Sequence, residues 1–547
     1  MLNPKRNSFS FFILSLLILF LFLPVRAEAK RVDVYNVEDL RKVKDVNGIR
    51  YIVKATIDLD GETILLAPNS KLCFQNGSFS NGTIEGNQTR IETTKENVFH
   101  NCQIGGIWLL DRSYSSMFDK ELDAVSLLQN LSCLSSNVYL FPNRRYIIQT
   151  EAKEIALNTL AAASKEKPVL EFMTIDPNKS GIILVGDEIT ISKIIIKDDY
   201  ESKIDLLGSK NKATIGNTIE VKPRHKKENT LLIENCDFTG GTSSSYIASS
   251  SSRQCYVKDC TFSGYMADHA VYCSMCIETF SVQDCKIDNV SHTRGVFKIR
   301  SSDRVRKFSI KNTSVNNLNG YMAVVGLKET PDSKILLDHI NVTKDNDFKG
   351  IFYGFCIYDE TRSMEALDRY NVGEIIISNC KNDYGYNGEP VIYPGSENKV
   401  CARKISYNNN IQNESNFGGG ITNLLSVKNS TFRNCCSTSG IEISAKDVSL
   451  DGVSLEDDRQ TVNSLFLINY NHNKTKSILL RRVNAKMNVK NMFKVFNGNE
   501  VQVAIERSDI TLLSNSLVQK RSGVNCTYRV RKLTQRRGSE YKLFEQF

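Results

Sequence analysis

The sequence contains little proline and almost no tryptophan, and its glycine content is ordinary. Among 547 residues there are 10 Pro, 31 Gly and one Trp. These numbers exclude a collagen-like chain and a proline-rich linker. The 41% of hydrophobic and 24% of charged residues are typical of globular proteins, so wholesale disorder is excluded as well.

Several well-known chemical motifs are also absent. The sequence has six His but no His-Glu-x-x-His pair, no phosphate-binding P-loop and no dinucleotide fingerprint. The net charge of +9 is spread along the chain instead of lying in blocks. A spread excess of positive charge favours solubility over nucleic-acid binding, so we expect no nucleic-acid partner, although an anionic substrate would be tolerated.

Long apolar runs are confined to the amino terminus. Lys5 and Arg6 precede an apolar run at 11–23, and Ala27-Glu28-Ala29 forms a small-residue cleavage site. The run is shorter than the ~20 residues that a membrane span needs, and no Cys follows it as in a lipoprotein. Residues 1–29 are therefore predicted to be a signal peptide. We expect an exported chain without a transmembrane segment that is periplasmic, on the cell surface or secreted.

The cysteines show a regular spacing. All 15 Cys follow the predicted signal peptide, and an odd number cannot pair completely within one chain. Cys236, Cys260 and Cys285 recur 24 and 25 residues apart, each after an acidic or amide residue in a strand-like run. This spacing favours stacked, buried and reduced thiols over disulfides.

Internal repeats organise most of the chain. Runs of alternating apolar and polar residues at 231–238, 255–262, 280–287 and 308–315 each end in turn-forming residues. Weaker copies begin near Ile335, Glu374, Leu425, Asp447, Ile478 and Val501. No helical period lies between the copies. The pattern predicts an all-β fold, a single-stranded right-handed parallel β-helix or solenoid, closed by an N-terminal β/helix cap.

The predicted organisation has five segments. An amphipathic helix is expected at 119–134 and a second, alanine-rich helix at 150–165. The basic residues after 520 either touch anionic envelope polymers or form a solvated terminus. The segments are the signal peptide at 1–29, a β-rich cap with the first coils at 30–115, a helical insertion with a connecting strand at 116–168, the β-helix at 169–520 and a basic tail at 521–547.

Two stretches carry a resemblance to a known family. Ala124, Gln129, Val138, Pro142 and Tyr146-Ile147 look like the opening of pectate-lyase-like β-helix proteins. The preceding segment at 74–84 is similar to a leader common in exported β-helix proteins of gut bacteria. The resemblance covers most of residues 50–520 and implies the fold. Because this fold carries lyases, glycosidases, phage depolymerases and plain binding proteins, activity has to be argued from individual residues.

A dense group of polar residues lies in the repeats at 265–328. Phe297 and Ile299 share one parity and are expected to point inward, so Lys298 and Arg300 should point outward. Stacking of repeats then places Tyr272 near Lys298 and Ser274 near Arg300, with Lys328 one repeat further. Such a basic face could bind a uronic-acid polysaccharide, since arginine pairs with carboxylates in a bidentate way. The alternative is a solvated surface.

Part of this group also resembles a second family. Asp268-His269-Ala270 and Lys298-Ile299-Arg300 are similar to the His and Arg-Ile-Lys motifs of polygalacturonase-type glycosidases. Here no Gly flanks the His and the order of the basic pair is inverted. Those enzymes also need acids one and two repeats upstream, and residues 238–258 contain none. This departure argues against inverting hydrolysis.

A polysaccharide lyase needs fewer groups. It requires a cation to neutralise the substrate carboxylate, a base for the α-proton and an acid for the leaving oxygen. We assign these roles to Arg300, to Lys298 or His269, and to Tyr272, respectively. The expected substrate-binding residues are Tyr265, Asp268, His292, Arg294 and Lys328.

The best-supported hypothesis is thus a lyase-like enzyme acting on an acidic glycan. The alternative is a non-catalytic β-helix protein that binds glycan or has a structural role, and a polygalacturonase-type glycosidase is less favoured. No metal is expected at the site. Asp198-Asp199 and Asp457-Asp458 could bind Ca²⁺, although adjacent acids in turns are usually solvated. The oligomeric state is left open.

Overall fold

The computed structural model is built almost entirely from parallel β-strands. It describes residues 30–92, 96–149, 153–173, 179–199, 216–242, 244–328, 330–359, 372–394, 401–468, 475–496, 501–512, 518–520 and 526–534. Every strand pair among these residues is parallel. None of their helices has the length and apolar character needed to cross a membrane. The predicted signal peptide lies outside the described residues.

The chain divides into two compact units, and the first comprises Met1–Leu110 with Met117–Asp119. Its helix Val37–Arg41 begins after Asn36, whose side chain accepts a hydrogen bond from the Asp39 amide. Its strands are Arg31–Val34, Arg50–Val53, Thr56–Asp58, Thr63–Leu65, Lys71–Phe74, Ser78–Ile91 and Phe99–Trp108.

An aromatic cluster forms the core of the first unit. The rings of Phe74 and Phe79 lie 5.8 Å apart, and Phe99 contacts both of them and Phe118. Asn76 and Asn81 adopt φ values of 65° and 53°, the left-handed conformation of the turns that their Asn-Gly sequences indicate.

The second unit comprises Asp111–Ser116 and Lys120–Phe547 and contains the helix Ala124–Leu134. The Asp123 carboxylate accepts hydrogen bonds from the Val125 and Ser126 amides, each at 3.0 Å. This N-cap explains why the helix begins at 124 and not at the predicted 119. A 3-10 turn occupies Ser115–Met117.

The second predicted helix, at 150–165, is wrong. The structure has strands at Lys153–Ala156 and Thr159–Ala162 in this segment. Leu160 lies in register with Val138 and with Ile191, and its side chain is fully buried. Pairing with neighbouring strands therefore overrides the intrinsic helix preference of the three consecutive alanines.

Besides its helix, the second unit contains two parallel sheets and one short pair of strands. Twenty-eight strands of the described chain form the larger sheet. They are Ser113–Tyr114, Asn137–Leu140, Arg145–Ile148, Thr159–Ala162, Val169–Phe172, Glu188–Ser192, Ile195–Asp199, Asn229–Glu234, Asp237–Thr242, Ser252–Lys258, Thr261–Met266, Thr279–Gln283, Lys286–Thr293, Lys307–Gly320, Thr330–Thr343, Val372–Ser378, Lys381–Asn382, Cys401–Asn408, Ile411–Asn413, Ile421–Lys428, Thr431–Arg433, Ile441–Asp451, Ser454–Ile468, Ser477–Arg481, Asn484–Val495, Val501–Leu512, Val518–Lys520 and Cys526–Thr534.

The smaller sheet has nine strands within the described ranges. These are Lys153–Ala156, Ile182–Val185, Ile219–Lys222, Ser245–Ser249, His269–Ser274, Phe297–Ser302, Ala323–Leu327, Phe355–Asp359 and Ile392–Pro394. Glu389–Pro390 pairs with Ser415–Asn416 as a separate short ribbon.

The predicted repeats stack in register. Leu231 pairs with Cys255, which pairs with Phe280, then Phe308 and Ile335. All five side chains are fully buried. Parallel stacking of equivalent positions in successive repeats, as the alternation predicts, is confirmed.

The predicted cysteine stack is present. Cys236, Cys260 and Cys285 are buried and are free thiols in the structure. The Thr261 amide donates to the Cys236 carbonyl and the Lys286 amide donates to the Cys260 carbonyl, at 2.9 and 2.8 Å. Burial raises the pKa of the Cys236 thiol well above its ordinary value, which keeps it in the neutral form.

The repeats extend into the segment that the sequence predicts to be a basic tail. Cys526–Thr534 is a strand that pairs with Val501–Leu512 along most of its length. Residues 535–547 lie outside the described part of the chain.

Candidate functional site

Two adjacent strands of the nine-stranded sheet, His269–Ser274 and Phe297–Ser302, carry most of the predicted site. Tyr272 pairs with Lys298 and Ser274 pairs with Arg300. The alternate residues of both strands, Val271, Cys273, Phe297 and Ile299, are fully buried. Lys298 is half-buried and Arg300 is exposed. The predicted parity is therefore shown for Lys298, Arg300 and the four buried residues, whereas Ser274, expected to point outward, is only 8% exposed.

Tyr272 and Lys298 are in contact across the two strands. The Lys298 ammonium nitrogen lies 5.7 Å from the centre of the Tyr272 ring, within the range of a cation–π interaction. The contact holds the lysine against a rigid strand and leaves it half-exposed, so a cation and a phenol are presented together at the surface.

His269 does not lie on the outward face where the sequence places it. Its side chain is 0% exposed. Its Nδ1 lies 2.7 Å from the Gly295 carbonyl oxygen, and its Nε2 lies 3.0 Å from Asp268 Oδ1. Because a carbonyl can only accept, Nδ1 carries a proton and donates to Gly295. In this arrangement the buried His269 ring cannot contact a substrate, and it contacts Asp268 instead.

Burial and charge act in opposite directions on the Asp268–His269 pair. Burial lowers the pKa of His269 and outweighs the opposing effect of Asp268, while the Lys298 charge lowers that pKa further. Burial opposes ionisation of Asp268, but His269, Lys298 and Arg294 together lower its pKa. Asp268 is thus a carboxylate at neutral pH. Both ring nitrogens of His269 face oxygen acceptors, so the ring donates to Gly295 and Asp268 together only when it is protonated, which opposes the lowering of its pKa by burial.

The remaining predicted binding residues extend the site toward the larger sheet. Arg294 lies 4.0 Å from Asp268 Oδ1, and its side chain is 55% exposed. Tyr265 pairs with His292, and their rings stack with centres 5.4 Å apart, but Tyr265 is buried, at 7% exposed, where the sequence predicts a binding residue. Burial lowers the pKa of His292, and the neighbouring Arg294 lowers it further.

Lys328 does not stack in the predicted position. Val324 occupies the place next to Lys298 in the following repeat, and Leu327 pairs with Ser302. Lys328 follows the last residue of that strand. The pairing of Lys298 with Val324 puts Lys328 four residues beyond the partner of Lys298, and the register shift between Ile299 and Ser302 follows only after that pair.

Three tyrosines form a row that is not among the residues predicted from the sequence. The rings of Tyr321 and Tyr353 have centres 5.1 Å apart, and those of Tyr353 and Tyr386 are 5.2 Å apart. A signal is present in the sequence, since the three residues recur 32 and 33 residues apart and each lies beside a Gly.

A groove of about 610 Å³ lies at the turns that lead into the larger sheet. Several of its charged residues form ion pairs with one another. Glu278 lies 2.5 Å from Arg253 and 2.8 Å from Arg306, and Arg304 pairs with Glu228.

The two candidate calcium pairs make protein contacts. Asp198 accepts a hydrogen bond from the Thr218 hydroxyl at 2.6 Å, and Asp457 binds the Arg459 guanidinium at 3.0 Å. Within the described ranges, His, Cys, Asp and Glu side chains form no group of three or more suited to a metal. Calcium binding at these pairs stays a prediction.

Comparison with known proteins finds only distant likeness. No family model matches the chain and no curated protein matches it. One similar solved structure is the catalytic domain of a GH87 alpha-1,3-glucanase in complex with nigerose, with 9% identity, a TM-score of 0.32, and coverage of 76% of this chain and 67% of that one. Another is the PL6 family alginate lyase AlyGC, with 8% identity, a TM-score of 0.24, and coverage of 92% and 100%. At these scores the likeness carries no argument about activity.

Proposed function

We propose that this chain is an exported right-handed parallel β-helix protein that cleaves an acidic, uronic-acid-containing glycan by elimination. The observation that carries the proposal is the strip of Tyr272, Lys298 and Arg300 on two rigid neighbouring strands. Rigid strands hold catalytic groups at little entropic cost. The spread positive charge of the chain supports an anionic substrate.

Each group has a defined task in this reaction. The exposed Arg300 guanidinium pairs with the substrate carboxylate, which stabilises the charge that develops when the α-proton leaves. Lys298 in its neutral form accepts that proton. Tyr272 donates its phenolic proton to the leaving glycosidic oxygen. One C–H bond and one C–O bond break, a carbon–carbon double bond forms, and no oxidant or metal is consumed.

His269 is a positioning residue in this proposal. It donates to the Gly295 carbonyl and lies against Asp268, whose carboxylate is 4.0 Å from Arg294. The buried ring therefore fixes the negative charge beside the basic strip. Asp268 in turn orients Arg294 toward a bound glycan.

The test replaces Arg300, the residue proposed to pair with the substrate carboxylate. Arg300→Ala should lower the rate at which unsaturated product appears by roughly ten- to a hundredfold, because a charge-assisted pair is worth ~1.5–3 kcal/mol. The ultraviolet absorbance of that product measures the rate on alginate and polygalacturonate. Circular dichroism should be unchanged because the side chain is exposed.

Lys307→Ala is the matched control. It removes an exposed cation from the larger sheet, away from Tyr272 and Lys298, and should leave the rate unchanged. Equal rates for the wild type and Arg300→Ala would place the site elsewhere.

Burial of His269 favours a second candidate function, a glycan-binding protein without catalysis. Because His269 is buried, the strip has one fewer group that could accept the α-proton of a substrate. Wild-type protein that binds these glycans and releases no unsaturated product would support this function over the lyase.

A further inference from the structure

Tyr321, Tyr353 and Tyr386 form a row of aromatic side chains on three successive repeats, here called the tyrosine row. Neighbouring ring centres lie 5.1 and 5.2 Å apart, with interplanar angles of 33° and 53°. Tyr321 and Tyr353 are half-buried and Tyr386 is 36% exposed. The rings are tilted against one another, so their stacking is incomplete.

The tyrosine row does not belong to the inner core. Phe352 and Phe355 flank Tyr353 and are 3% and 4% exposed, whereas Tyr353 itself remains half-exposed. The rings of these two phenylalanines pack against each other, with centres 6.3 Å apart. The core is therefore complete without the ring of Tyr353.

Backbone pairing places the tyrosine row next to the proposed site. The Arg294 amide donates to the Asp268 carbonyl at 3.0 Å, and Thr293 pairs with Gly320. Tyr321 thus occupies the position that Arg294 has one repeat earlier. The Tyr353 amide donates to the Gly320 carbonyl at 3.1 Å, which continues the same line into the next repeat.

Glycine makes the close stacking of this line possible. Gly320 has φ of +138°, and a Cβ there would lie 2.2 Å from the Thr293 carbonyl oxygen. No side chain fits at that distance. The backbones approach closely as a result, and the following tyrosine is brought within ring contact of its neighbour.

We infer that the tyrosine row is a set of glycan subsites that continue the proposed site along the stacking direction of the repeats. The inference rests on the proposed function and specifies the substrate further: a polymer long enough to reach from Arg294 to Tyr386. Tyrosines present an apolar ring with a polar tip, which suits the apolar faces and hydroxyls of pyranose units. Acidic groups of the glycan bind at Arg294 and Arg300, and the next sugar rings pack on the tyrosines.

The test compares short and long oligosaccharides of alginate and of polygalacturonate by calorimetric titration. Tyr353→Ala should weaken binding of the long oligosaccharides by roughly three- to tenfold, the value of one aromatic contact. Binding of the shortest oligosaccharides, which span only the charged strip, should be unchanged. Tyr353→Phe keeps the ring and should bind long oligosaccharides like the wild type.

Tyr256→Ala is the matched control, since Tyr256 is a half-buried tyrosine on the larger sheet. It should leave both affinities unchanged. Equal loss for short and long oligosaccharides in Tyr353→Ala, or no loss with an intact circular dichroism spectrum, would overturn the inference. The inference would also be overturned if the protein bound oligo(dT) but no glycan, and if that binding required Tyr353.

The outcomes separate this inference from the proposed function. Length-dependent binding that requires Tyr353, without any unsaturated product, would leave the tyrosine row as a binding site and refute the lyase. The wild type and Tyr353→Ala could instead release unsaturated product from long substrate at equal rates. That result would support the lyase and refute the inference that the tyrosine row binds glycan.

Discussion

The larger sheet and the strip around Lys298 on the smaller sheet differ in the side chains that lie next to their charged residues. On the larger sheet, acids lie between two bases from neighbouring repeats, and the acids are largely buried. The three clearest cases are Glu171 between Arg145 and Lys197, Glu278 between Arg253 and Arg306, and Glu374 between Lys334 and Lys404. On the smaller sheet, Lys298 is in register with Tyr272 and Val324, and Arg300 with Ser274.

This difference shows what an arriving anion would have to displace. On the larger sheet, folding itself brings each acid to its bases, so an arriving anion would have to displace a carboxylate. In the strip, the register partners of Lys298 and Arg300 are uncharged, while the Lys298 charge also acts on the Asp268 carboxylate and lowers its pKa.

The two sheets share one core, and breaking it should have the largest effect. Phe297 of the smaller sheet packs against Phe262 and Phe280 of the larger sheet, with ring centres 5.4 and 6.2 Å apart. Phe297→Ala should lower the free energy of unfolding by about 3–5 kcal/mol. Urea unfolding measures it, with Lys307→Ala as the surface control. A change no larger than the control would mean that the sheets do not depend on each other.

An intermediate effect is expected where an acid of the larger sheet is neutralised. Lys197 lies 2.9 Å from the Glu171 carboxylate and, with Arg145, lowers its pKa. Glu171→Gln should cost about 1 kcal/mol at pH 7, a value typical of a favourable surface network. Because the folded pKa is lowered, this stabilisation is present above the unfolded value and lost below it. The wild type and variant should thus converge as the pH falls below ~4.

The smallest effect on stability is expected from His269 of the smaller sheet, and it falls in a different pH range. Burial lowers the pKa of His269 in the folded state, so the unfolded chain takes up a proton first as the pH falls through ~6.5. The wild type should lose up to about 1 kcal/mol of stability between pH 7 and pH 5 through this group. His269→Gln should lack that part of the slope. Identical slopes from thermal unfolding would show that His269 is not buried as a neutral ring.

Much of the larger sheet could be predicted from the sequence because its strands alternate with a period of two. That alternation decides which residues face the core, and the spacing of 24 and 25 residues between Cys236, Cys260 and Cys285 indicates which residues stack. For the same reason the orientation of Lys298 and Arg300 was correct. Parity is a local property and needs no knowledge of the neighbouring repeat.

The wrong predictions have different causes. The alanines near 161 favour a helix by intrinsic propensity, yet pairing with Asn137–Leu140 makes them a strand. Lys298 pairs with Val324, so Lys328 lies four residues beyond the position predicted for it. His269 has the same parity as Val271 and Cys273, which face the core, so the alternation itself places its ring inside, where the structure shows it.

The sequence by itself determined the repeating strands, their inward and outward faces and the set of basic residues at 294–300, because side-chain alternation and repeat spacing are written locally along the chain. Only the tertiary structure decided that His269 contacts Asp268 and that three tyrosines, 32 and 33 residues apart, meet in one row. Turns of different length change the sequence distance between repeats without changing the strand spacing of ~4.8 Å. Contacts between repeats are therefore set by backbone pairing, which the sequence distance alone does not show.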